Sequence, residues 1–124
     1  MTLMARRLLP APDVEVRDAL VRRGASEATG ADVRLLVKHF LAVLSNRAPG
    51  ASVEVRVPPY AAVQAVAGVR HTRGTPPAVV ELDADTWIAL AVGELAWGAA
   101  ESSGRVRASG ERADLSDLLP LVTS

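Results

Sequence analysis

Apolar residues recur with the period of a helix in the first part of the chain. One segment runs from Asp13 to Arg23 and is followed by Gly24, a residue type that often ends a helix. A second segment begins at Thr29, which with Asp32 has the spacing of a capping box, and it stops before Pro49 and Gly50. Its apolar positions are three and four residues apart and share one face: Val33, Leu36, Val37, Phe40, Leu41 and Leu44. The pattern predicts two amphipathic helices.

The period then changes to two, which is typical of strands. Residues 52–57 alternate between polar side chains and valine and are bounded by Pro58 and Pro59. Two more strands are predicted, from Tyr60 to Val66 and from Ala78 to Leu82. Because the connections between these first strands are short and contain proline and glycine, we expect their pairing to be antiparallel.

The second half continues with two short helices and a last strand. Asp83 is placed to cap a helix that ends at Gly93, and a second helix is predicted over residues 96–102. Alternation over residues 105–109 predicts a strand that is reached across both helices, which is compatible with parallel pairing. An amphipathic turn follows and becomes irregular at Pro120. This order predicts an α+β domain in which helices cover one face of a small sheet.

Composition narrows the class of protein. The 124 residues are 49% hydrophobic and 23% charged, which predicts one globular domain over residues 1–124, with residues 1–12 as a flexible N-terminal arm. Fourteen basic and fourteen acidic residues cancel, so no nucleic acid partner is expected. No apolar run approaches the roughly 20 residues of a membrane span, and no secretory pattern follows Met1 to Leu9. We therefore expect a cytoplasmic protein without a transmembrane segment.

The clearest candidate for polar chemistry is the loop between the second and third predicted strands. Arg70, His71, Arg73 and Thr75 concentrate cations and hydroxyls there, which predicts an anion-binding group for a carboxylate or phosphate. In the alternative interpretation, the two arginines pair with surface carboxylates and His71 bonds the backbone. His39, the other histidine, is expected to face solvent on the polar flank of its helix.

Signals for catalysis are weak. The chain has no cysteine, and it contains no G-x-S-x-G elbow, P-loop or dinucleotide fingerprint. The acidic run Glu81, Asp83 and Asp85 is interpreted as a solvated strand face plus a helix cap rather than a metal site. We therefore predict a protein that is not an enzyme and needs no cofactor or metal. Catalysis by His71 within residues 70–75 is the weaker hypothesis.

Several segments of the chain have spacings in common with a known family. In the run from Val79 to Trp87 a strand ends in an acidic residue and leads into a helix with an aromatic side chain. A Gly-x-Leu turn follows at Gly93, and a strand between two glycines spans Ser103 to Gly110. Residues 52–121 together resemble the sterol carrier protein type two superfamily. The middle of the chain is similar to a branch of small stand-alone members found in actinobacteria.

The resemblance implies an about five-stranded, mainly antiparallel sheet, covered on one face by helices that enclose an apolar tunnel. We therefore predict non-enzymatic binding or transfer of a fatty acid, acyl-CoA, sterol or isoprenoid in an internal cavity. An acidic head group would lie near Arg70 and Arg73. The apolar residues predicted to line the cavity are Leu36, Phe40, Leu44, Val55, Trp87, Leu90, Leu118 and Leu119.

The same helix stripes also fit a different class of protein. Leucine, valine and phenylalanine facing a valine-rich sheet form either a solid core or a lipid cavity, and periodicity does not distinguish the two. Trp87 and Trp97 are expected to pack where the helices meet the sheet, and either could line a tunnel. With a solid core, the chain would be an interaction module that docks onto a partner enzyme or forms a homodimer.

Overall fold

The computed structural model describes residues 7–68, 77–110 and 113–122 and confirms the α+β class. Nine elements follow one another in these ranges. They are α1 (Asp13–Gly24), α2 (Gly30–Arg47), β1 (Val53–Val57), β2 (Ala61–Ala65), β3 (Ala78–Leu82), α3 (Ala84–Val92), α4 (Trp97–Ser102), β4 (Val106–Ser109) and a 3-10 turn (Ser116–Leu118).

The start of α2 is fixed by the predicted capping box. Thr29 Oγ1 accepts a hydrogen bond from the Asp32 backbone N–H at 3.1 Å, and Asp32 Oδ2 accepts one from the Thr29 backbone N–H at 3.0 Å. Arg22 of α1 donates two hydrogen bonds of 2.8 Å to the same carboxylate. These bonds, first of all those from Arg22, hold the pKa of Asp32 far below its usual range. One carboxylate therefore caps α2 and ties it to α1.

The four strands form one mixed sheet in the order β2-β1-β3-β4. The antiparallel pairing of β1 with β2 is confirmed. However, β1 pairs with β3 in parallel, and β4 pairs with β3 antiparallel. The prediction of about five mainly antiparallel strands is therefore corrected to four strands in a mixed sheet for the described residues. The interpretation of the last strand as compatible with parallel pairing is wrong.

The connections explain both differences. The chain between Ala65 and Ala78 is long enough to cross β1 and return on its other side, which a tight hairpin link could not do. Val106, the first residue of β4, pairs with Leu82, the last residue of β3. The two helices α3 and α4 therefore bring the chain back to the end of the sheet that it left, and β4 has to run antiparallel.

The sheet has one dry face and one wet face. On β1, Val53, Val55 and Val57 are fully buried, while Glu54 and Arg56 point the other way and are half-buried or exposed. The inward-facing residues of β1 and β3 form one continuous core with side chains of the helices. The expectation that helices cover one face of the sheet is confirmed. None of the helices described in the structure is long and apolar enough to cross a membrane.

Candidate functional site

Most of the residues predicted to line a cavity lie in the packed core. Six of them are at most 1% exposed and belong to a single hydrophobic cluster: Leu36, Phe40, Leu44, Val55, Trp87 and Leu90. Leu118 and Leu119 are half-buried and pack against that cluster. Only Leu90 and Leu119 also border one of the three cavities that the described residues form most clearly.

That cavity lies where the end of α3, the start of α4 and the C-terminal segment meet, and we call it the α3–α4 cavity. Its volume is about 370 Å³. The described residues that line it are uncharged and mostly apolar: Leu90, Gly93, Leu95, Ala96, Trp97, Gly98, Ser116, Leu119 and Pro120. A recess of this kind is suited to an apolar group rather than to an ion.

Backbone bonds hold the walls of the α3–α4 cavity in place. Gly93 ends α3 in the left-handed conformation, with φ of 85°, and turns the chain toward α4. The backbone N–H groups of Leu121 and Val122 both donate to the Ala91 carbonyl, at 2.8 and 3.2 Å. The C-terminal segment is therefore pinned across the end of α3, which places Pro120 and Leu119 opposite the helices.

The two tryptophans have different surroundings. Trp87 is fully buried in the core, and its Nε1–H donates to the Val37 carbonyl at 3.3 Å, which ties α3 to α2. Trp97, the first residue of α4, is 5% exposed and forms part of the cavity wall. Trp97 therefore borders a cavity, whereas Trp87, the tryptophan chosen from the sequence as a lining residue, lies in the core. That either ring lines a ligand tunnel stays a prediction.

The other wall residues were missed by sequence reasoning. Leu95 and Pro120 belong to turns, where hydrophobic periodicity carries no information about what faces inward. A signal was present in Gly93, because a helix-ending glycine reverses the chain and brings the following residues against the helix end. The position of Pro120 opposite this glycine depends on tertiary contacts alone.

The predicted anion-binding loop falls outside the described residues. Arg70, His71, Arg73 and Thr75 all lie within residues 69–76, so the prediction of an anion-binding group there stays a prediction.

A second cavity, of about 330 Å³, carries charged side chains at the end of β3. Glu81, Asp83, Arg105 and Arg107 contribute to its lining. Asp83 is confirmed as the cap of α3, because its Oδ1 accepts from the Thr86 backbone N–H at 2.7 Å. Its pKa is lowered, chiefly by hydrogen bonding to the Thr86 side chain.

Arg105 is engaged at the same helix start. Its Nε donates to Thr86 Oγ1 at 3.0 Å, and its Nη2 lies 3.7 Å from an Asp85 carboxylate oxygen. Asp83 and Arg105 thus have structural partners already. The described residues contain no group of three or more histidine, aspartate or glutamate side chains that could hold a metal ion.

A third cavity, of about 550 Å³, lies beside the edge strand β2 and is bordered by Arg7 and Leu8 of the N-terminal segment. Arg7 Nη2 donates to Asn46 Oδ1 at 3.2 Å. The backbone N–H of Ala11 donates to His39 Nδ1 at 2.9 Å. His39 is therefore half-buried and hydrogen-bonded, which corrects the expectation that it faces solvent. Burial lowers its pKa, partly offset by the charge of Asp13.

The fold and the α3–α4 cavity define a small α+β domain with an apolar recess beside its helical layer. A family model described as bacterial SCP ortholog matches residues 29–121, and the chain belongs to this bacterial family of sterol-carrier-like proteins. The match begins at the cap of α2, so it extends the resemblance of residues 52–121 by a whole helix and leaves α1 outside. A comparison with curated proteins finds no match.

Proposed function

We propose that the protein is a non-enzymatic carrier that binds an apolar ligand in the α3–α4 cavity. The ligand classes that fit are a fatty acid, an acyl-CoA, a sterol or an isoprenoid. The observation that carries the proposal is a cavity of about 370 Å³ whose described lining residues are uncharged, with a volume within the range of about 300–1,000 Å³ typical of ligand sites. Membership of a sterol-carrier-like family supports the same function.

Two of the residues predicted to line the site border the α3–α4 cavity and would contact the ligand in this proposal. Leu90 is fully buried in the core and also borders the cavity, and Leu119 closes the cavity from the C-terminal segment. The other six would contact a ligand only if a long chain extended past Leu90 and displaced core packing. A volume near the lower end of the usual range favours one chain or a small ring system in the cavity itself.

The head group of an acidic ligand would be held by Arg70 and Arg73, with His71 and Thr75 beside them in the sequence. Support comes from the density of hydrogen-bond donors and positive charge in this short loop. With this arrangement, Arg70→Ala weakens the binding of hexadecanoic acid and leaves the binding of hexadecanol unchanged. Equal effects on both lipids, measured by calorimetry, would remove the loop from the site.

The proposal is tested by filling the cavity. Leu119→Trp adds a ring to the wall, and we expect it to weaken binding of hexadecanoic acid by tenfold or more in delipidated protein, because the ring occupies space that the chain needs. Leu9→Trp is the matched control, since Leu9 is 75% exposed and lies outside the cavity lining. Native mass spectrometry and calorimetry give the affinities, and circular dichroism reports the fold. Wild-type affinity in a folded Leu119→Trp protein contradicts the assignment.

Docking onto another protein is the second candidate function, and the wet face of the sheet favours it. Arg56 pairs in register with Glu81, and Glu81 with Arg107, so a row of alternating charge crosses three strands. These side chains are exposed or half-buried. Protein that takes up no lipid, but co-purifies in a fixed ratio with an enzyme, would move the assignment to such an interaction module.

A further inference from the structure

The buried donor of Trp97 has no hydrogen-bond partner. Among the residues that the structure describes, its Nε1 is the one buried side-chain nitrogen or oxygen without one. Indole nitrogen is a donor only, and a buried donor without an acceptor destabilises the folded state. Trp87 shows the usual arrangement, because its Nε1–H reaches the Val37 carbonyl. Packing alone accounts for the position of the Trp97 ring but leaves its polar edge unexplained.

The place of this ring in the fold suggests what the missing acceptor is. Trp97 forms part of the wall of the α3–α4 cavity, so its buried, unpartnered donor belongs to a residue that borders the space a ligand would enter. Ser116 carries the other polar side chain in the lining, but it is exposed and its backbone N–H already donates to Asp114 at 2.8 Å. Among the described residues of the wall, Trp97 therefore carries the buried donor that lacks an acceptor.

The lining also restricts the charge of the acceptor. The described residues of the lining include no lysine, arginine or histidine, so none of them supplies a counter-charge for a carboxylate placed next to Trp97. A carbonyl or hydroxyl oxygen has no such penalty and accepts one hydrogen bond readily. The chemistry of the wall favours a neutral oxygen.

We propose that Trp97 Nε1 donates a hydrogen bond to a neutral carbonyl or hydroxyl oxygen of the ligand, and so selects oxygenated apolar molecules over plain hydrocarbons. This inference rests on the proposed function and adds to it the polar contact inside the cavity. Nε1 is covered by protein in the structure, so this contact requires the indole to turn toward the cavity when the ligand enters. An acidic head group, where a ligand has one, lies outside this cavity.

The test compares two ligands that differ in one atom group. One is a long-chain methyl ketone, and the other is the alkene in which a methylene group replaces the ketone oxygen. Trp97→Phe keeps an aromatic wall but removes the donor. Because the smaller ring changes the apolar contacts of both ligands alike, the hydrogen bond is measured by the ratio of the two affinities. We expect the preference for the ketone over the alkene to fall about five- to tenfold in this variant relative to wild-type protein, the range of one neutral hydrogen bond.

The indole N–H signals of the two tryptophans provide a direct readout. Trp97→Phe assigns the two signals in a proton–nitrogen correlation spectrum. We expect the ketone to shift the Trp97 signal downfield and the alkene not to produce that shift. Neither ligand is expected to move the Trp87 signal. A merely structural role for the ring would not produce this difference between ligands.

A stability comparison checks the unliganded state. Trp87→Phe loses a hydrogen bond and is expected to lower the urea midpoint, whereas Trp97→Phe removes an unpaired donor and lowers it less. Equal losses would show that Trp97 has a partner and overturn the inference. An equal effect of Trp97→Phe on the affinities for ketone and alkene would also overturn the inference. In that case the proposed function would stand. If wild-type protein binds neither ligand and no other lipid, both the inference and the proposed function are wrong.

Discussion

His39 joins the N-terminal segment to α2 through a single ring nitrogen. Its Nδ1 accepts from the backbone N–H of Ala11, which requires the neutral tautomer with its proton on Nε2. Protonation would place a second donor opposite the Ala11 N–H. Burial, the larger effect, lowers the pKa of His39 from its ordinary value of 6.5, and Asp13 of α1 raises it in part.

This geometry predicts a loss of stability on mild acidification. The pKa of His39 is higher in the unfolded chain than in the folded protein, so the unfolded state binds more protons between those two values. The contribution of His39 is complete above pH 6.5 and is lost as the pH falls through the lowered folded value. We expect the free energy of unfolding, measured with urea, to fall accordingly from pH 7 to pH 5.

His39→Asn is the matched control for this prediction. The Asn side-chain oxygen lies near the position of Nδ1 and can accept from Ala11, but it does not titrate. His71 and all carboxylates are the same in both proteins, so the difference between the two pH curves reports His39. Parallel curves over this range would contradict the assignment.

At the residue scale, local chemistry was predicted well from the sequence. Thr29 and Asp83 were placed as helix caps, and both accept the expected backbone hydrogen bond. Such contacts depend on residues three positions apart, which a sequence displays directly. The partner of His39 comes from another segment, and burial by distant residues is not visible in the periodicity of α2.

At the element scale, Gly50 lets the loop between α2 and β1 pass close to the backbone that follows β2. It has a φ of 148°, and a Cβ at this position would collide with the carbonyl group of Val66. Gly50→Ala is therefore expected to destabilise the protein by more than about 1 kcal/mol. Gly30, the first residue of α2, has no heavy atom within 4 Å of an added Cβ, and the same change there is expected to stabilise by about 0.5–1 kcal/mol.

Urea denaturation of the two alanine variants tests this prediction as a pair. Because the substitution is identical, any general effect of alanine on the unfolded chain is shared, and the sign of the difference reports the local backbone. Equal stability of Gly50→Ala and wild-type protein would show that the approach of this loop to Val66 does not need glycine.

The elements themselves were largely predictable, whereas their arrangement was not. The bounds of β3 and α3 match the prediction because alternation, Asp83 and Gly93 are local signals. The order of the strands depends on how the chain returns from Ala65 to Ala78, and no local signal records that path. Val66, with φ of 67°, is a similar case, because nothing in a valine predicts a left-handed residue.

At the scale of the whole molecule, inward-facing residues were predicted better than the space between them. The six residues of the helices and β1 that were predicted to line a cavity are all buried in the core. The hydrophobic pattern of the sequence shows which side chains face inward. A cavity instead depends on how several segments pack together and on the space that their side chains leave empty. The α3–α4 cavity is such a place, since it forms between α3, α4 and the C-terminal segment. Of the residues predicted to line a ligand cavity, Leu90 and Leu119 border this one. They were chosen because they belong to amphipathic patterns in the sequence.

The central claim is that an apolar ligand occupies the α3–α4 cavity, and the two tryptophans allow one direct measurement of it. Bromine quenches indole fluorescence only at close range. Hexadecanoic acid brominated along its chain is titrated to saturation into two variants. Trp87→Phe keeps Trp97 as its only tryptophan fluorophore, and Trp97→Phe keeps Trp87. We predict strong saturable quenching of Trp97 and weaker quenching of Trp87. No saturable quenching, or quenching of Trp87 alone, would contradict the claim.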